Sequence, residues 1–186
     1  MDSLKVFVAC GGREISNKLY LDIAKKVGSF LAENNHIYGQ GGFVGRNTLM
    51  GESYFEYLNH GGKSVVFIIK EKYKSDIEGC KCSDIIYTET SNDAVKKVAN
   101  WADYEIFLPG GNGTLHELVS ALEARDLSDS NTKLILLNIN SYYDNLLKHY
   151  ESMEKENLLR KNFLKDLLYI VDNLEDLFAI IQNNKE

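Results

Sequence analysis

Proline is nearly missing from this sequence: Pro109 is the only one in 186 residues, so no proline-rich linker or low-complexity segment divides the chain. Cysteine is scarce as well. Cys10, Cys80 and Cys82 form an odd set without a C-x-x-C pair, which argues against a disulfide framework or a zinc site and for reduced thiols. No apolar run approaches the ~20 residues that cross a bilayer. The opening MDSLKVFVAC has an acidic second residue, a short apolar run and no basic stretch before it, unlike a secretory signal. A cytoplasmic location without a membrane partner is the expectation. Basic residues are not in excess either: Lys and Arg number 21 against 27 Asp and Glu, for a net charge of -6. The two signs are mixed along the chain, which excludes a surface built to neutralise a nucleic-acid polymer but leaves room for a small anion at a local site.

What is present is a regular alternation. With 44% apolar and 26% charged residues, the chain reads as one globular domain over 1–186. Leu4 to Cys10 is a continuous apolar run stopped by Gly11 and Gly12, the signature of a buried strand. Leu19, Ile23, Val27, Phe30 and Leu31 then recur at helical spacing within Ile15 to Leu31. Further strands are expected at His36 to Tyr38, Ser64 to Ile69, Asp84 to Tyr87, Tyr104 to Leu108, Lys133 to Asn138 and Leu168 to Val171. Further helices are expected near Arg46 to Asn59, Asn92 to Trp101, Thr114 to Asp126, Tyr142 to Glu156 and Leu174 to Gln182. Such alternation predicts an α/β, Rossmann-like doubly wound fold, a mostly parallel sheet with helices on both faces. Ligands of such sheets sit at the carboxyl ends of the strands. Three glycine loops fall there: Gly11-Gly12, Gly39 to Gly45, and Gly110 to Gly113.

The last of these, PGGNGT, leaves backbone N–H groups uncovered and leads into a helix, whose free amides and dipole favour an anion. A tight turn without a ligand fits the glycines equally well. Glu117, three residues after Thr114, has two readings. It is a carboxylate beside whatever the loop holds, or the glutamate of a T-x-x-E capping box closing back on Thr114. His116 is expected on the surface. In YGQGGFVGRNTLMGE, Arg46 or Asn47 could reach a phosphate.

Pro109 to Glu117, PGGNGTLHE, matches P-G-G-x-G-T-x-x-E, and the chain thereby resembles the Lonely Guy family of cytokinin riboside 5'-monophosphate phosphoribohydrolases, some of which are labelled lysine decarboxylases. VFVACGG, YGQGG…LMG and LLNINSYYDNLL resemble other segments of that family, so the likeness covers nearly the whole chain. It implies cleavage of the N-glycosidic bond of a nucleoside 5'-monophosphate to free base and ribose 5-phosphate. Glu117 would be the catalytic carboxylate. Gly110, Gly111, Asn112, Gly113 and Thr114 would hold the phosphate, with Gly11, Gly12, Gly41, Gly42, Arg46, Asp93 and Lys96 around the substrate. The resemblance also implies a homodimer. No cofactor and no metal are called for, and nothing marks a Schiff-base lysine.

Two departures stand out. The family's Arg-Lys pair falls on Ala94 and Val95 here, whereas Lys96-Lys97 lies two residues later, about 200° around a helix. Either a local bulge restores Lys96, or the arginine's role is lost or passes to Arg46, leaving Asn92 and Asp93 toward the crevice. The segment between YGQGG and LMG is also longer than usual. An alternative function therefore accompanies the hydrolase: a nucleotide-binding sensor or carrier on the same scaffold, like related P-G-G-x-G-T folds that bind signalling nucleotides or the molybdenum cofactor.

Overall fold

The computed structural model describes residues 3–42 and 44–183. Seven strands form one parallel sheet: β1 (Lys5–Ala9), β2 (Ile37–Gln40), β3 (Val65–Lys70), β4 (Asp84–Thr88), β5 (Tyr104–Phe107), β6 (Lys133–Leu137) and β7 (Leu168–Val171). Their order across the sheet is β4-β3-β2-β1-β5-β6-β7. Each expected strand is found with its ends within two residues. Helices α1 (Lys18–Glu33), α2 (Leu49–Asn59), α3 (Ser91–Trp101), α4 (Asn112–Asp126), α5 (Asp144–Lys155), α6 (Phe163–Leu167) and α7 (Leu174–Gln182) connect or flank them. Two 3-10 helices, Glu71–Ile77 and Ile139–Ser141, and the short α6 have no counterpart in the sequence reading, because segments that short carry little periodicity.

The inner strands β1, β3, β5 and β6 are nearly continuous apolar runs because both faces are covered. In β1, Val6 and Val8 point into one core with Ile23, Val27, Leu31, Leu49, Tyr57 and Leu177, that is, with α1, α2 and α7. Phe7 and Ala9 point into the other, with Val98, Leu118, Leu122, Tyr150 and Phe163 from α3, α4, α5 and α6. Each fully buried large side chain of this kind contributes about 1.5–3 kcal/mol. The doubly wound architecture is thus present, with every described strand pair parallel. Buried polar residues interrupt this pattern: Gln40 ends β2 at 0% exposed, and the charged Glu105, central in β5 between Phe7 and Leu134, is 3% exposed.

The order of strands fixes where a ligand can lie. From β1 the chain winds outward through β2, β3 and β4, then returns to β5 on the other side of β1 and winds the opposite way. The connections leaving β1 and β5 therefore diverge, opening a crevice at their carboxyl ends. Among the described residues, no helix is long and apolar enough to cross a membrane.

Candidate functional site

Backbone hydrogen bonds draw the three glycine loops together at this crevice. Leu108 N donates to Ala9 O at 3.0 Å and Gly11 N to Pro109 O at 3.1 Å, so the loops after β1 and β5 run side by side. The loop after β2 joins them through Ile15 N to Asn47 O at 2.9 Å and Met50 N to Gly11 O at 3.2 Å. The loop after β2 ends where Thr48 caps α2 by accepting Gly51 N at 2.9 Å. Arg46 accordingly precedes the helix that the sequence had starting on it.

Helix α4 begins two residues before Thr114. Its N-cap is Gly111, which has no side chain to cap with, and Thr114 is the third helical residue. The capping-box reading of T-x-x-E is therefore overturned: Thr114 is not the cap, and Glu117 lies in the second turn rather than the first. Among the described residues, the amides of Gly111 to Thr114 donate to no protein acceptor, which leaves a run of N–H donors at the positive end of the α4 dipole. Thr114 is 3% exposed and packs back on the loop: a Cβ on Gly110 would lie 2.1 Å from Thr114 Oγ1, so only glycine fits there. Gly111 and Gly113 have open space where a Cβ would be, which lets a ligand approach their backbone.

Glu117 follows Gly113 and Thr114 by four and three residues and so shares their helix face. Its side chain is half-buried and leans toward the β2 loop, where a Cβ built on Gly41 would come to 4.0 Å from Oε1. Burial raises its pKa to about 7. Its charge adds to the upward shift of three buried acids, Cys10 at the end of β1, Glu105 in β5 and Tyr143 after β6, with burial the largest cause in each.

Support comes from below. Tyr143 Oη donates to Leu108 O and Tyr142 Oη to Gly110 O, each at 2.7 Å, so two adjacent tyrosines grip the carbonyls on either side of Pro109. Asn138, at the end of β6, accepts Tyr143 N at 2.7 Å and donates to Asp144 at 2.8 Å, which fixes the start of α5. The spacing of LLNINSYYDNLL carried this signal, but no role was attached to Asn138, Tyr142 or Tyr143.

The remaining candidates are spread around the rim. Gly12 belongs to the β1 loop, and Gly41 and Gly42 to the β2 loop; Gly42 has φ +93°, and a Cβ there would strike Ile69 Cδ1 at 2.4 Å. The Arg46 guanidinium lies 3.7 Å from the centre of the Phe55 ring, committed to a cation–π contact with α2. Asp93 accepts from Thr90 N at 3.1 Å and Thr90 Oγ1 at 2.6 Å in the capping box of α3. Those hydrogen bonds hold its carboxyl below the ordinary range. Helix α3 runs unbroken from Ser91, so the bulge that would bring Lys96 into the family's arginine position does not form. Lys96 and Lys97 are exposed while Ala94 packs toward the sheet. A separate cavity of about 480 Å³ opens at the opposite, amino-terminal end of the strands, among Asn100, Asp103, Asp129, Asn131, Thr132 and Lys133, away from the glycine loops. Among the described residues, no group of three or more His, Cys, Asp or Glu side chains could hold a metal ion.

Comparison with known proteins agrees with this geometry. A family model described as "Possible lysine decarboxylase" matches residues 50–181, more than half of the chain. A probable cytokinin riboside 5'-monophosphate phosphoribohydrolase of Oryza sativa subsp. japonica is 30% identical over 159 residues, 84% of this chain and 63% of that protein. A cytokinin riboside 5'-monophosphate phosphoribohydrolase of Arabidopsis thaliana is 31% identical over 146 residues, 77% of this chain and 66% of that one. The match thus spans less than two thirds of either relative's length. Among solved structures, a Moco carrier protein from Chlamydomonas reinhardtii has a TM-score of 0.68 at 16% identity, covering 97% of this chain and 96% of that chain. The molybdenum cofactor binding protein of Rippkaea orientalis reaches 0.67 at 20% identity, over 98% and 97%. At that identity the likeness bears on the fold alone. Taken with the family model and the plant relatives, the P-G-G-x-G-T-x-x-E segment and its setting show that the chain belongs to the Lonely Guy family.

Proposed function

We propose that this protein hydrolyses the N-glycosidic bond of a nucleoside 5'-monophosphate, releasing the free base and ribose 5-phosphate. The observation that carries the reading is the placement of Glu117, a half-buried carboxyl on the same helix face as an uncapped, glycine-lined helix start. Gly110, Gly111, Asn112, Gly113 and Thr114 would bind the 5'-phosphate through backbone amides and the Thr114 hydroxyl, supplying remote binding energy that positions the ribose. Gly11, Gly12, Gly41 and Gly42 would line the walls, their missing side chains leaving room for sugar and base. Breaking the bond between C1' and the base nitrogen leaves oxocarbenium character on the ribose. An ionised Glu117 stabilises that charge and takes a proton from water as its oxygen bonds to C1'; the departing base gains a proton. The homodimer of the family is part of this proposal. So is the coarse substrate class, a nucleotide rather than a nucleic-acid polymer.

A second reading is favoured by one observation: Ala94 and Val95 stand where the family has its Arg-Lys pair, and in the unbroken α3 Lys96 and Lys97 are exposed. A site without that arginine suits a nucleotide carrier or sensor on the same scaffold. Incubation with nucleoside monophosphates separates the two. Free base and ribose 5-phosphate support hydrolysis, and a nucleotide that raises the melting temperature yet is recovered intact supports carriage.

A further inference from the structure

The peptide that bears the anion loop is held by a side chain with no assigned role. Tyr142 follows two consecutive non-glycine residues in the left-handed region, Asn140 at φ 52° and Ser141 at φ 56°, a backbone that persists only where its surroundings impose it. That turn sets the Tyr142 ring edge-on between two others: Tyr20 of α1, with centroids 5.8 Å apart and planes at 85°, and Tyr143, at 4.8 Å and 86°. Its hydroxyl donates to Gly110 O at 2.7 Å. A trans peptide is planar, so a carbonyl drawn one way turns the N–H of the next residue the other way. With Gly110 O held by Tyr142, the Gly111 N–H faces away from Tyr142. That amide is then left for an anion.

We propose that Tyr142 is a positioning residue for phosphate recognition: its hydroxyl sets the Gly110–Gly111 peptide so that the Gly111 amide faces a phosphate monoester. This rests on the reading of the loop as the phosphate site. Tyr142 is 43% exposed, so water competes for Gly110 O whenever the hydroxyl is absent, and the peptide loses its fixed orientation. The ring contacts hold Tyr142 in place, and the hydroxyl alone transmits that placement to the loop.

The test is Tyr142→Phe, which keeps both edge contacts and removes only the oxygen, with Tyr20→Phe as a control that keeps its ring. Inorganic phosphate binding by calorimetry, steady-state kinetics on a nucleoside 5'-monophosphate, the melting temperature and the Gly111 amide resonance are measured for each. In Tyr142→Phe the Kd for inorganic phosphate rises about five- to tenfold, the scale of one lost hydrogen bond. KM rises by a similar factor, kcat and melting temperature stay as in the wild type, and the Gly111 amide resonance shifts. Tyr20→Phe leaves all of these unchanged. An unaltered phosphate Kd together with an unmoved Gly111 amide in Tyr142→Phe overturns the proposal. A wild-type protein that neither binds inorganic phosphate nor cleaves any nucleotide removes the hydrolase reading instead. The Gly111 amide then decides for Tyr142 on its own, a shift sustaining its hold on the loop and no shift refuting it.

Discussion

Glu117 owes its chemistry to where it is buried. A free glutamate is charged at neutral pH, whereas this one, lifted to about 7, is balanced between its two forms. In the proposed reaction the ionised form does the work, so base release should rise with pH through about 7 and level off above it, which a pH–rate profile on saturating nucleotide reads directly. Glu117→Gln should lower kcat by about 10²–10⁴-fold while inorganic phosphate still binds, because the amide keeps the shape and loses the proton transfer. Glu105 adds a consequence for stability. Both carboxyls are raised in the folded protein, so the native state holds protons that the unfolded chain has already released. Stability from these groups is complete below about pH 4.5 and is lost as pH climbs through their raised values, about 7 for Glu117. Glu105→Met, which replaces a buried acid with an apolar side chain of similar length, should raise stability at pH 8 by about 1–3 kcal/mol. Urea titration at pH 5 and pH 8 checks both size and sign, and a larger gain at pH 5 contradicts the account.

At the scale of elements, close packing explains which glycines belong to the fold and which to the site. Helices α1 and α2 cross at Gly28, where a Cβ would lie 2.1 Å from the Ser53 carbonyl oxygen, a backbone atom that cannot move aside. Gly28→Ala should therefore cost about 1–3 kcal/mol in a urea titration and leave phosphate affinity unaltered in whatever remains folded. Gly110→Ala meets the Thr114 side chain instead and should abolish phosphate binding. The strands were legible in the sequence because β1, β3, β5 and β6 are buried on both faces and hence nearly continuous apolar runs. The start of α4 was not. A search for a capping side chain selects Thr114, but the cap is Gly111, whose conformation leaves no trace except the glycine itself. Glu105 was visible as a charge inside an apolar run, yet a strand pattern cannot say that a position is 3% exposed. The hold of Tyr142 and Tyr143 on the loop joins residues more than thirty positions apart, which no local spacing records.

Across the whole molecule, the return of the chain from β4 to β5 beside β1 creates the crevice, and all three glycine loops fall at one end of the sheet for that reason. The glycines and Glu117 were readable before the structure; the acids around Glu117 were not, since Cys10, Glu105 and Tyr143 come from three separate elements. If two copies complete the active form, light scattering will give twice the chain mass, and a monomer with full activity would remove the dimer from the account. A nucleotide bound in the crevice should stabilise the protein by about 2.7 kcal/mol at one hundred times its Kd, visible as a rise in melting temperature absent from Gly110→Ala. The central claim is that Glu117 and the anion loop together cleave a nucleotide, and the most direct measurement is chromatography of a panel of nucleoside 5'-monophosphates after incubation with wild-type and Glu117→Gln protein. The account predicts equal amounts of free base and ribose 5-phosphate from at least one nucleotide with the wild type, and almost none with the variant. Nucleotides recovered intact from the wild type, or equal turnover by both proteins, would contradict it.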